Sequence, residues 1–140
     1  MSYAGSYDHT VDPKGRVVVP ALFRDDFRNG GYLSLRRDHI GLYDPVGWDS
    51  FITRFRDLRD SGAISRPSFN QVLALSSPVS PDSQGRFGLP QRLREAAGIT
   101  TNAVFVGVDD YLAIHSPATA PIPVGADFDE LMDEFYGLPL

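Results

Sequence analysis

A chain of 140 residues with a formal net charge of −5 and no cysteine has the length of one domain or of two small halves. It is long enough to bury a core unaided, and it excludes disulfides, thiolate metal sites and thiol nucleophiles. The charge is unevenly spread: Lys14 is the sole lysine, every arginine lies at or before Arg94, and from Glu95 onward the charged residues are all acidic. An arginine-bearing body is thus set apart from an acidic tail, which reads as a solvated face, a contact for a basic partner or a segment folded back on the body. No apolar run approaches the roughly 20 residues of a membrane helix. The opening "MSYAGSYDHTVD" lacks the basic-then-apolar pattern of a signal peptide, so a soluble, cytoplasmic protein is expected.

In chain order the first signal is "DPKGRVVVP" at residues 12–20. Val11 closes a strand, and Asp12 and Gly15 shape a tight turn, because Asp accepts backbone N–H groups and Gly takes a positive φ without steric cost. The strand that leaves the turn carries Arg16 and three valines, strong strand formers. Pro20 suits the first turn of a short helix, with Phe23 and Phe27 four apart on one face and Gly30–Gly31 as its stop. Two strands around a polar turn follow, at residues 32–35 and 40–43.

The phrase returns as "DSQGRFGLP", with Asp82 lying 70 positions after Asp12. Asp82 and Gly85 match Asp12 and Gly15, Arg86 matches Arg16, Pro90 matches Pro20, and Arg94 matches Arg24. Leu89 and Leu93 share a face, Gly98 stops the helix, and strands at 104–108 and 111–114 complete a second β–β–α–β–β unit. Gln84 stands where the first copy has Lys14, and Gly88 where it has Val18. One such unit has too little core and too many open edges. Two units that interleave their strands into one barrel remove both defects.

Between the copies, Trp48, Phe51, Ile52, Phe55 and Leu58 follow helical spacing, and a second short helix at 68–75 puts Phe69, Val72 and Leu73 on one side. Past the second copy, "SPATAPIPVG" is Pro-rich and reads as extended. "DFDELMDEFYGL" reads as an amphipathic helix with Phe128, Leu131, Met132 and Phe135 inward. The expected divisions are a first repeat at 1–53, a helical insert at 54–76, a second repeat at 77–116 and a tail at 117–140.

No catalytic motif stands out: there is no nucleophile elbow, phosphate loop or dinucleotide fingerprint. His9, His39 and His115 lack metal-ligand spacing in sequence, so neither metal nor cofactor is expected, and no small-molecule substrate. Asp12 and Asp82 read as turn formers rather than as a catalytic dyad. Arg16 and Arg86 have two readings. Each forks to a guanine edge or phosphate, or each pairs with the Asp four residues earlier and stiffens its hairpin.

The doubled Asp-x-x-Gly-Arg phrase, "VDPKGRVVVPALFRDDF" with "DSQGRFGLPQRLREAAGI", resembles the MraZ family of the AbrB/SpoVT-like swapped-hairpin superfamily. "YAG" at 3–5 and "LYDPVGWDSF" at 42–51 add to the likeness, which covers roughly residues 1–116. The resemblance implies an α+β fold in which two swapped-hairpin repeats form one pseudo-twofold, double-split β-barrel with peripheral helices. It implies a non-enzymatic, nucleoid-associated transcriptional regulator of the bacterial division and cell-wall gene cluster. Such a protein acts as a ring-shaped homo-oligomer on short repeats in double-stranded promoter DNA. The family's pattern maps onto Asp12 with Arg16 and onto Asp82 with Arg86. Arg16 is then the leading DNA contact, with Lys14 beside it and Arg86 as counterpart. The alternative reading is an antitoxin-like interaction module whose acidic tail binds a basic partner.

Overall fold

The computed structural model describes residues 2–121 and 126–140. It is a mixed α+β structure with an antiparallel six-stranded sheet and a separate two-stranded ribbon. The sheet strands are β1 (Ser6–Thr10), β3 (Gly31–Leu35), β4 (Ile40–Tyr43), β5 (Ser76–Val79), β7 (Asn102–Gly107) and β8 (Leu112–His115), in the order β1-β7-β8-β4-β3-β5. The ribbon is β2 (Arg16–Val18) with β6 (Arg86–Gly88). Pro78 lies in β5, an edge strand, where a missing N–H costs no ladder bond.

Most strand pairing joins one sequence copy to the other. β1 of the first copy pairs with β7 of the second, and β5 of the second with β3 of the first. In the ribbon, Arg16 lies opposite Gly88, Val17 opposite Phe87 and Val18 opposite Arg86. In the sheet, Ile40 lies opposite Ile114, Gly41 opposite Ala113 and Leu42 opposite Leu112. The hairpins themselves, β3–β4 and β7–β8, stay within one copy. Leu33 opposite Leu42 is matched by Phe105 opposite Ile114, a separation of 72 positions rather than the 70 seen in the turns. The second copy has a longer link between helix and strand. By this register His39 corresponds to Tyr111, and Tyr43 to His115.

Alternation places Val17, Val19, Phe87 and Leu89 in the main core with Phe23, Phe27, Leu93, Phe105 and Ile114. Each such side chain contributes about 1.5–3 kcal/mol by leaving water. Tyr3 closes this core beside Phe23 and Phe27, and its hydroxyl donates to buried Asp44. Asp44 also caps helix α1 (Pro45–Asp60) by accepting from the Gly47 N–H at 2.7 Å, one of the donors a helix start leaves orphaned. A second cluster joins Trp48 and Ile52 of α1 to Tyr43 of β4 and to Phe69 of α2 (Arg66–Ala74). Trp48 stacks on Tyr32 at 4.7 Å.

Several expectations change in detail. Pro20 and Pro90 are the capping residues ahead of their helices, with ψ of 134° and 137°, rather than members of the first turn. Their carbonyls accept the first helical bonds, from Phe23 and Arg94. The first of these helices is a 3-10 helix (Ala21–Phe27), and the second is α3 (Gln91–Ala96). Leu58 of α1 and Leu73 of α2 are exposed, because the helix pair closes on Phe55 and Phe69 instead. Residues 117–119 form a turn rather than an extended segment, with the Thr119 and Ala120 N–H groups donating to the Ser116 carbonyl. The rest of that Pro-rich stretch, at 122–125, lies outside the described residues.

The acidic segment is helical, as α4 (Ala126–Tyr136). Its apolar stripe is mostly not turned inward: Phe128, Leu131, Phe135 and Tyr136 are exposed, while Met132 is half-buried. The helical period is satisfied, but most of the stripe is left open. No helix among the described residues is long and apolar enough to cross a membrane.

Candidate nucleic-acid interface

The two Asp-x-x-Gly-Arg turns are built alike. In the first, Asp12 Oδ1 accepts from the backbone N–H groups of Lys14 at 2.9 Å and Arg16 at 2.8 Å, while Oδ2 accepts from Arg16 Nε at 2.8 Å. In the second, Asp82 Oδ1 accepts from the N–H groups of Gln84 and Arg86, both at 2.9 Å, and Oδ2 from Arg86 Nε at 2.8 Å. The backbone N–H of Arg16 holds the Asp12 carboxyl below the usual carboxylate range, and the Arg16 side chain adds to this. The Arg86 N–H and then its side chain do the same for Asp82. Each carboxylate is therefore engaged by its own turn.

Gly15 and Gly85 sit at φ of 78° and 81°, the left-handed region where a Cβ is strained. They are also points of close approach. A Cβ on Gly15 would stand 2.9 Å from the Arg94 guanidinium, and one on Gly85 would stand 2.9 Å from Arg24 Nε. Arg94 Nε donates to the Leu89 carbonyl at 2.9 Å, and Arg24 Nε to the Val19 carbonyl at 3.3 Å. The ribbon continues past β2 and β6 through Val19 N–H to Gly85 O at 2.8 Å and Leu89 N–H to Gly15 O at 2.9 Å. Each turn thus rests against an arginine from the other copy. The signal for these bracing residues was the matched placement of Arg24 and Arg94. Clefts of about 450 Å³ and 630 Å³ lie where each helix meets the opposite turn, beside Asp82 and Asp12 respectively.

On the ribbon, Val17 and Phe87 point into the core, so Arg16, Val18, Arg86 and Gly88 share the outer face. Arg16 and Arg86 are diagonal neighbours there, with side chains 36% and 38% exposed. Space beside Gly88, directly opposite Arg16, is open. Both arginines bond through Nε, and their terminal nitrogens have no partner among the described residues. Pairing with Asp and presenting a free guanidinium edge are thus compatible: the Asp fixes the fork and leaves its tip open. Lys14 is exposed on the first turn.

The histidines are placed differently from one another. His9 lies in β1 against Phe105. His39 and His115, remote in sequence, come together with ring centroids 4.8 Å apart. Burial, and then His39, lower the His115 pKa.

The sequence also resembles those of known proteins. The family model "MraZ protein, putative antitoxin-like" matches residues 73–119. A protein named Transcriptional regulator MraZ from Thermomicrobium roseum is 36% identical over 116 residues, which is 82% of each chain. The proteins of that name from Herpetosiphon aurantiacus and Limosilactobacillus fermentum are 36% and 29% identical, over 81% and 97% of the present chain and 80% and 98% of their own. The chain belongs to the MraZ family. The MraZ family model covers the second turn, α3 and the β7–β8 hairpin, while the pairwise likeness is long enough to take in both copies.

Proposed function

We propose that this chain is a sequence-specific DNA-binding transcriptional regulator that uses the outer face of the β2–β6 ribbon and its two turns. The observation that carries this reading is the diagonal placement of Arg16 and Arg86 on one exposed face, each fork fixed by its own Asp. A two-stranded ribbon fits the major groove, and a fixed guanidinium reads guanine or clamps phosphate. Arg16 leads, Lys14 adds a phosphate contact on the same turn, and Arg86 contributes from the second copy. Asp12, Gly15, Asp82 and Gly85 shape the presenting turns. The relatives' printed name supports regulation of transcription.

The finer reading takes the exchanged strand pairing as a pseudo-twofold, swapped-hairpin double-split barrel. Its repeats are 1–53 and 77–116, with a helical insert at 54–76 and a tail at 117–140. Three basic side chains per subunit make a thin patch, so a ring-shaped homo-oligomer adds modest contacts through effective concentration on repeated promoter boxes. The proposed setting is the bacterial cytoplasm and nucleoid, the proposed target the division and cell-wall gene cluster, and no catalysis is invoked. Titration of labelled promoter DNA at several salt concentrations tests this. Log K falls against log salt with a slope of about −0.9 per phosphate contact, and a flat response overturns the reading.

A second reading has its own observation. The exposed stripe of α4, with Leu131, Phe135 and Tyr136 amid acidic residues, suits an antitoxin-like module that captures a basic partner. Removal of residues 121–140 separates the two: DNA binding survives under the first reading, and partner capture is lost under the second.

A further inference from the structure

The sheet brings together a group of side chains that DNA recognition does not use. Asp38 and His39 lie in the turn between β3 and β4, and His115 ends β8. Each supplies one ligand-type atom, and these atoms all lie within 4.8 Å of one another. His39 Nδ1 is 2.8 Å from Asp38 Oδ1, and its Nε2 is 2.9 Å from the Tyr111 hydroxyl. His115 Nδ1 is 2.9 Å from Thr119 Oγ1, which is itself 3.1 Å from the Asp38 carbonyl. A carbonyl only accepts; with the Thr119 hydroxyl donating to Asp38 O, Thr119 accepts from His115 Nδ1–H, and that tautomer turns the His115 Nε2 lone pair toward a cation.

The strand register explains how the group assembles. His39 corresponds to Tyr111 across the copies, and Tyr43 to His115. At the β4–β8 seam the two imidazoles stand together at 4.8 Å, and the two phenols at 4.6 Å. One end of the seam is therefore nitrogen-rich. His115 is buried at 6% exposure, while Asp38 is open enough to admit an ion from solvent.

We propose that Asp38, His39 and His115 form a binding site for a divalent transition-metal ion of the zinc type. Two imidazoles with one carboxylate are the donor set that such borderline cations take, in preference to Mg²⁺ or Ca²⁺. The surroundings resemble the outer support of metal sites, where a ligating histidine gives its second nitrogen to a fixed partner. Thr119 serves His115 in that way, and Tyr111 serves His39. The cation takes the place of the proton between His39 Nδ1 and Asp38 Oδ1, and the neutral imidazole then carries its N–H on Nε2, donating to the Tyr111 hydroxyl oxygen. It ties the first copy's hairpin to the second copy's last strand, and it does not require the DNA-binding reading to hold.

The test uses untagged full-length protein stripped with a chelator, then titrated with Co²⁺ and Zn²⁺. One Co²⁺ per chain is expected, with visible absorption bands of a nitrogen–oxygen site that Zn²⁺ abolishes by displacement. Zn²⁺ raises the thermal midpoint as its concentration exceeds Kd, and Mg²⁺ does not. His39→Ala and Asp38→Ala remove the Co²⁺ bands, whereas His9→Ala keeps them. Thr119→Ala weakens Zn²⁺ binding about 10- to 100-fold. His115→Ala is judged only after its metal-free melt shows a folded chain; Asp38 and His39, on a turn, keep the proposal exposed to refutation. Absence of saturable binding, or bands that persist in His39→Ala, overturns it.

Discussion

Gly15 of the first turn lies directly against the guanidinium of Arg94 in the second copy's helix, so close that a Cβ there would push the guanidinium aside. The same relation holds between Gly85 and Arg24. Gly15→Ala therefore carries two penalties, a left-handed φ and displacement of Arg94 from the Leu89 carbonyl. A loss of about 1–3 kcal/mol is expected, read as a lowered denaturation midpoint. In an Arg94→Ala background the contact part of that loss disappears and the φ part remains, so the two losses are less than additive.

Arg16→Ala and Arg86→Ala separate recognition from stability. Both arginines are about a third exposed, and solvent screening leaves an ion pair of that kind contributing little to stability. The melts should shift little. DNA affinity should fall in both, and each salt slope should flatten by about 0.9 if the lost contact is a phosphate. The Arg16 effect should be the larger, because Lys14 stands beside it where the second turn has Gln84. A large drop in melting temperature without loss of DNA affinity would assign the arginines to the hairpins alone.

The turns also set an acid limb of stability. Asp12 and Asp82 both have folded pKa values below the ordinary carboxylate value. Their stabilisation is fully present above the unfolded pKa of about 3.9 and is lost as pH falls through the folded values. Stability should decline in that window, because the unfolded chain binds more protons there. Asp12→Asn with Asp82→Asn keeps an acceptor oxygen for the turn N–H groups but removes the titration. The double variant should be less stable at neutral pH and flatter below pH about 4, as followed by urea unfolding at stepped pH.

Tyr3→Phe tests the N-terminal strap. Burial and the neighbouring Asp44 push the Tyr3 phenol well above its usual value, so it remains a donor to Asp44 at any ordinary pH. Its removal leaves a buried carboxylate with one partner fewer, and about 1–3 kcal/mol of stability should go. Hydrogen exchange should quicken at the start of α1, whose Gly47 N–H depends on Asp44.

The turns were the most legible part of the chain because they are local. Asp, Gly and Arg act within five residues, and both copies fold as that spacing requires. The strand positions followed from short runs of strand-forming residues around polar turns. What such runs do not carry is partnership: nothing in "RVVVP" says that Val17 faces Phe87. The His39–His115 pair was hidden for a similar reason. The link before β7 is longer than the one before β3, so a fixed offset misaligns His39 with Asp109 instead of Tyr111. The α4 stripe was legible as a period but not as a direction, since amphipathicity specifies a face without naming its cover.

The exchanged pairing has a consequence for how the chain tolerates being cut. Gly62, between α1 and α2, has a positive φ, and a Cβ at that position would meet nothing within 4 Å. Neither half can complete its ribbon alone, since β2 needs β6 and β1 needs β7. Two peptides split at that point would therefore find each other in order to fold. In this respect the molecule is a pair of obligate partners that happen to share one backbone.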